Sequence, residues 1–237
     1  MPIGVPKVAF QGPEDQEPDC NRLYFHRFLF LCEELDDEKA LQLSSLLVYF
    51  TEKDPTLQFF FFINSPGGGL NAGLGVYDLM QTLGPDVYTI GMGLAASMAS
   101  LLLAGGTITK RVAYPFTRVM IHEPQASKFA ADLAWCDSES VELTHLRERV
   151  IEIYEKHTGQ CGWRIEYDLE RDVFMTAEEA LSYGIVDHIA QYRRSRSKKY
   201  NTLICINAQL VEVEPDLEAD LEADLPEDLR EDLREDL

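Results

Sequence analysis

The sequence predicts an α/β fold built around a parallel sheet, and three observations carry that expectation. The run Leu57–Ile63 holds four consecutive phenylalanines; a stretch so apolar fits a strand buried on both faces, as in a parallel sheet covered by helices. A glycine-rich turn, Asn64-Ser-Pro-Gly-Gly-Gly69, follows it and opens into a helical pattern from Leu70 to Leu83, the beginning of a βαβ unit. The order then repeats, because Val87–Gly91 reads as a strand and an apolar helical run follows from Ser97 to Ala104. Two turns therefore fall at the carboxyl ends of neighbouring strands, where α/β folds hold their sites.

The remaining elements follow in chain order. Residues 1–22 are rich in proline, glycine and acidic side chains and read as an N-terminal arm. Leu23–Leu31 is short and aromatic and is expected to be a strand. Asp36 or Asp37 is placed to cap a helix through Phe50, with apolar residues at 40, 41, 43, 46, 47 and 50. After Ala104 come two short strands, Arg111–Tyr114 and Arg118–His122, the second stopped by Pro124. From Ala131 to His157 the pattern is helical and mostly polar, with Leu143, Leu146, Val150, Ile153 and Tyr154 on one stripe. A helix longer than one core requires is read as an interface element. A short helix over Trp163–Leu169, a helix through Tyr183 capped by Thr176, and a last strand over Gly184–Ala190 complete the expected domain, residues 23–192. Residues 193–211 read as a basic linker and a short apolar segment. Residues 212–237 repeat leucine every four positions among acidic residues, a period that drifts around a helix by ~40° per step; this tail is expected to be disordered.

Charge and composition narrow the function. The formal net charge is −20, of which residues 212–237 carry −11 and the rest −9. Such a body is not expected to bind nucleic acid, which requires clustered Lys and Arg; the one basic cluster, Arg193 to Lys199, reads as a solvated linker. No apolar run reaches the ~18 residues of a membrane span, and the amino terminus reads as neither a secretory nor an organelle leader. The five cysteines show no Cys-x-x-Cys spacing and no histidine at zinc spacing, so reduced thiols are expected.

Ser97 stands where a helix begins, beside free backbone N–H groups, a setting that suits a nucleophile whose reaction passes through an oxyanion. The plain alternative is a helix cap. The Gly67–Gly69 turn matches neither Gly-x-x-x-x-Gly-Lys-Ser/Thr nor Gly-x-Gly-x-x-Gly; exposed N–H groups beside Ser97 fit half of an oxyanion hole better. His122 ends a strand at the same crevice. Three carboxylates compete to orient it, Asp172, Asp168 and Asp187, and position alone does not separate them.

Taken together these residues resemble the Clp protease proteolytic subunit family, ClpP. The match runs through Phe61-Phe-Ile-Asn-Ser-Pro-Gly-Gly68, Ala72-Gly73, Val76-Tyr-Asp78, Met92-Gly-Leu-Ala-Ala-Ser-Met98, Gly105-Gly106, Lys110-Arg111 and Arg118-Val-Met-Ile-His122. It closes with His157-Thr-Gly159, Glu170-Arg-Asp-Val-Phe-Met175 and Tyr183-Gly-Ile-Val-Asp187. The resemblance covers about residues 23–190, and Met1-Pro-Ile-Gly-Val-Pro-Lys-Val8 is similar to its plastid-encoded branch, which implies the chloroplast stroma. It implies a ClpP/crotonase-like spiral of β–β–α units with a long handle helix. By motif it makes Ser97 the nucleophile, His122 the general base and Asp172 its orienter, with the backbone N–H groups of Gly68 and Met98 as the oxyanion hole. It further implies homo- or hetero-heptameric rings stacked as a tetradecamer, fed unfolded proteins by an AAA+ unfoldase that uses the ATP, with no cofactor bound by this chain. Two departures stand out: Glu123 replaces a usual glutamine, and the handle start, residues 125–132, is poor in glycine. The alternatives are a catalytically silent ring subunit and a crotonase-like acyl-CoA enzyme, the latter disfavoured because it leaves the three residues without a role.

Overall fold

A computed structural model describes residues 22–124, 133–190, 205–206 and 209–210. The arm before residue 22, the handle start at 125–132, most of the expected linker and the whole acidic tail lie outside the described residues. The chain divides into two compact units, Met1–Gln191 and Tyr192–Leu237. In the second, two short strands, Cys205–Ile206 and Gln209–Leu210, pair antiparallel.

In the first unit a helical turn α1 (Arg22–Phe25) precedes β1 (Phe28–Leu31), α2 (Asp37–Lys53), β2 (Phe59–Ser65), α3 (Leu70–Thr82), β3 (Val87–Ala96) and α4 (Met98–Ala104). There follow β4 (Arg111–Ala113), β5 (Arg118–Ile121), α5 (Leu133–Thr158), α6 (Gly162–Leu169), β6 (Val173–Thr176), α7 (Ala177–Tyr183) and β7 (His188–Ile189). The sheet runs β1-β2-β3-β4-β7, all parallel, while β5 pairs parallel with β3 and antiparallel with β6. The α/β expectation therefore holds, with one antiparallel addition.

The strand β3 carries both halves of the sheet. Its first half pairs with β4 at Thr89–Gly91 and its second with β5 at Leu94–Ala96. The change of neighbour occurs across Gly93, whose φ of +71° lies in the region glycine alone enters freely. Its length, through Ala96 rather than ending at Gly91 as the sequence reading expects, delivers Ser97 directly from a strand into a helix.

Three expectations need correction. The Leu23–Leu31 segment is strand only from Phe28, because α1 and a positive-φ residue, Arg27, precede it. The guanidinium of Arg27, buried, donates to the carbonyls of Leu57, Phe50 and Asp54, which closes the carboxyl end of α2 where carbonyls lack helical partners. The strand β2 is not buried on both faces: Phe59, Phe61 and Ile63 are at 0–1% exposure, while Phe60 and Phe62 are half-buried. Those two rings lie against Phe28, Phe30 and Tyr88 at centroid distances of 5.1–6.0 Å, so the aromatics of that face cover one another. The last strand is only His188–Ile189, and β6 is a strand the sequence reading leaves unassigned.

The core lies between the inner sheet face and helices α2, α3, α4 and α5. Every residue of α4 is buried. The 26-residue α5 meets the core near its carboxyl end, through Val150, Tyr154 and His157, whereas residues 141–149 are exposed or half-buried. Arg111, 4% exposed, joins Asp187 in a two-bond pair at 2.6 and 2.9 Å. The same guanidinium donates to the carbonyls of Ala104 and His157, tying the ends of α4 and α5 to β4.

Candidate active site

Ser97 sits at the strand–helix junction with φ 54° and ψ −126°. A non-glycine residue held there costs on the order of 1–3 kcal/mol and persists only where its surroundings enforce it. They do so here: its N–H donates to the Met120 carbonyl at 2.9 Å, extending the pairing of β3 with β5, and the fully buried α4 fixes its other side. The hydroxyl is not spent on capping, since Ser97 makes no side-chain cap bond. Instead Oγ lies 2.9 Å from Nε2 of His122.

The register of β5 and β6 brings the carboxylate. Ile121 pairs with Val173, so one step outward on these antiparallel strands sets His122 opposite Asp172. Nδ1 of His122 stands 3.3 Å from Oδ1 of Asp172, within ion-pair reach. The contact is not a hydrogen bond, and Nδ1 is buried with no hydrogen-bond partner among the described residues. The competing carboxylates are engaged elsewhere. Asp168 accepts from the Tyr183 hydroxyl at 3.0 Å and approaches Arg164 at 3.8 Å. Asp187 is held by Arg111, which keeps its carboxyl below the usual range although burial pushes it up.

The glycine turn presses on the nucleophile. A Cβ on Gly67 would stand 2.6 Å from the Ser97 Cβ and 3.1 Å from the Met98 nitrogen. Gly67 and Gly68 have φ of +101° and +151°. Leu35 pins the turn from the other side, its N–H donating to the Gly67 carbonyl and its carbonyl accepting from the Gly69 N–H, both at 2.8 Å. Gly68 and Met98, the two residues expected to donate backbone N–H groups, line the same cavity as Ser97 and His122.

A cavity of about 670 Å³ opens beside Ser97 and His122. Its walls include Leu70, Met98, Leu101, Leu143, Leu146, Val150 and Tyr154, with Asp37, Asn71 and Glu142 among the polar lining residues. Of this lining, the sequence reading gives Met98 a part in the oxyanion hole and sets Leu143, Leu146, Val150 and Tyr154 on one stripe of an interface helix, but it does not predict the cavity; the hydroxyl on Tyr154 is the one signal that the stripe does more than pack. Glu123 turns its carboxylate to Arg147 of α5 at 3.4 Å, and Arg147 reaches Glu166 of α6 at 3.1 Å. Among the described residues no group of three or more His, Cys, Asp or Glu could hold a metal ion, and no helix is long and apolar enough to cross a membrane.

A mostly parallel α/β chain with a serine at a strand–helix junction, and a histidine and a carboxylate at two adjacent strand ends, has the makeup of a serine hydrolase. The chain belongs to the Clp protease family, whose model matches residues 12–193. It is 50% identical over 193 residues to an ATP-dependent Clp protease proteolytic subunit of Angiopteris evecta, covering 80% of this chain and 98% of that one. Proteins of the same name from Nicotiana tabacum and Adiantum capillus-veneris are 50% and 47% identical, over 80% and 83% of this chain and 99% and 100% of theirs.

Proposed function

We propose that this chain is the proteolytic subunit of an ATP-dependent Clp protease and that it works as a serine endopeptidase through Ser97, His122 and Asp172. The observation that carries the reading is the 2.9 Å approach of Ser97 Oγ to His122 Nε2 beside a cavity of mixed polar and apolar lining. In the reaction Ser97 Oγ attacks a peptide carbonyl while His122 Nε2 takes its proton, then returns it to the leaving amine. Water enters, gives its proton to the same nitrogen, and releases the acid and the free serine. The backbone N–H groups of Gly68 and Met98 stabilise the oxyanion formed at each stage. Asp172 holds the imidazole tautomer, and closing its 3.3 Å contact with Nδ1 to a hydrogen bond accompanies substrate binding, when catalytic contacts tighten. The apolar part of the lining, Leu70, Met98, Leu101, Leu143, Leu146 and Val150, offers a surface for an apolar side chain of the substrate.

The assembly belongs to the same proposal. Homo- or hetero-heptameric rings stack as a tetradecamer, and a partner AAA+ unfoldase consumes ATP and delivers unfolded proteins. This chain contributes only its own groups and water to hydrolysis and binds no cofactor. Its relatives come from plants, and the plastid stroma is the proposed location.

Labelling with a fluorophosphonate, followed by mass spectrometry and native mass measurement, tests the reading. Modification of Ser97 that is lost in Ser97→Ala and His122→Ala is expected. An assembled ring in which Ser97 stays unmodified would instead establish a silent subunit, a reading that the absence of a hydrogen bond between His122 and Asp172 keeps in play.

A further inference from the structure

Behind the nucleophile lies a hydrogen-bond relay that the hydrolytic scheme does not use. The Ser100 hydroxyl lies 2.6 Å from the Ser97 carbonyl oxygen and 2.8 Å from the Tyr154 hydroxyl. A carbonyl can only accept, so the single Ser100 proton goes to Ser97 and Tyr154 must donate to Ser100. Ser100 is 0% and Tyr154 2% exposed; burial pushes the Tyr154 phenol well up, so its proton stays in place. The Ser97 carbonyl also accepts from the N–H groups of Ser100 at 3.0 Å and Leu101 at 3.3 Å. Three donors therefore converge on one carbonyl at the most strained residue of the site.

That carbonyl shares its peptide unit with the Met98 N–H. The unit is trans and planar, so oxygen and hydrogen point in opposite directions. Holding the oxygen toward Ser100 fixes the direction of the Met98 N–H, whose nitrogen lies beside the glycine turn. Donors on the oxygen also polarise the amide and strengthen its N–H as a donor, as in any chain of hydrogen bonds in a low-dielectric interior.

Building on the serine-peptidase reading, we propose that Ser100 and Tyr154 are positioning residues that orient and polarise the Ser97–Met98 peptide, and so set the strength of the oxyanion hole. Tyr154 comes from α5 and Ser100 from α4, so the relay carries the position of the long helix to the donor. The interaction is made chiefly in the transition state, when charge appears on the substrate oxygen; it acts on kcat and not on ground-state binding.

The test uses the full-length assembled chain carrying Tyr154→Phe, which removes one oxygen, and separately Ser100→Ala. Hydrolysis of a fluorogenic peptide with an apolar acyl-side residue gives kcat and KM, and a peptide boronic acid, which forms a tetrahedral adduct on the serine, reports the oxyanion hole. Tyr154→Phe should lower kcat by ~3- to 5-fold and Ser100→Ala by ~10- to 30-fold, less than the ~100- to 1,000-fold cost of removing an oxyanion donor outright, because the Met98 N–H remains. KM should stay within about twofold and boronate affinity should fall in step with kcat. The double variant should be no slower than Ser100→Ala, because Tyr154 acts through Ser100. Wild-type kcat in an assembled Tyr154→Phe ring would overturn the relay, and so would a rise in KM at constant kcat, which would make Tyr154 merely a wall of the cavity. Should Ser100→Ala fail to assemble, the Tyr154→Phe measurement decides alone. A wild-type ring with no turnover and no boronate binding would overturn the peptidase reading first and the relay with it.

Discussion

Gly67 has no room for a side chain. Its φ of +101° already disfavours one, and a methyl there would meet the Ser97 Cβ at 2.6 Å and the Ala96 carbonyl at 2.7 Å. Gly67→Ala should therefore shift the nucleophile by a fraction of an ångström and lower kcat/KM by ~100-fold, as small misplacements do; near-wild-type turnover in a folded variant would show that the turn can give. His157 invites a different experiment. It is buried against Tyr77 at 2.9 Å, and desolvation, with Lys156 and Arg111 adding to it against Asp187, lowers its pKa to about 4. The unfolded chain binds the proton near pH 6.5, so stability should fall as pH drops from about 6.5 toward 4, and be flat in this contribution above it. Following thermal unfolding across that window for the wild type and His157→Gln, which cannot titrate, isolates the slope. Ser97 stands out in the sequence because it opens a readable helical run, and His122 because it ends a readable strand. Asp172 does not, because its place depends on a strand that no local pattern announces.

That strand, β6, is four residues long, sits between two helices and carries the burial pattern half-buried, exposed, buried, half-buried. Its reason for existing is the partner β5, a non-local contact that periodicity cannot reveal. The helix after it was readable for the opposite reason: Thr176 and Glu179 form a reciprocal capping box, a local device written in the spacing Thr-x-x-Glu. The twofold burial expected for β2 fails because four phenylalanines in a row look the same whether helices or other aromatics cover the second face. Among the elements, Arg111 has the widest reach, since one guanidinium joins Asp187 and the last carbonyls of α4 and α5. Arg111→Met would strip Asp187 of its charged partner, leaving it the backbone N–H of residue 111, and would remove the guanidinium from two carbonyls, and should cost ~3–5 kcal/mol in urea unfolding. A loss below ~1 kcal/mol would mean that water replaces it.

For the molecule as a whole, charge divides unevenly, with −11 of the −20 on residues 212–237. Deleting that stretch should leave peptide hydrolysis within about twofold of the full chain and rings intact by native mass, as expected of a low-complexity sequence with few apolar residues other than its leucines. Rings that fall apart on deletion would make it part of the assembly. The long helix α5 has a further consequence. At ~1.5 Å per residue it extends ~39 Å, and among its described side chains residues 141–149 are exposed or half-buried while Val150, Tyr154 and His157 enter the core. Amide hydrogen exchange over residues 141–158 should therefore form a ramp, with amides near Tyr154 opening only with the whole domain and those at 141–145 exchanging through local fraying. Wherever another subunit packs on the outer turns the ramp should flatten, so that a single helix records, amide by amide, how much of its stability it owes to its own chain and how much to its neighbours.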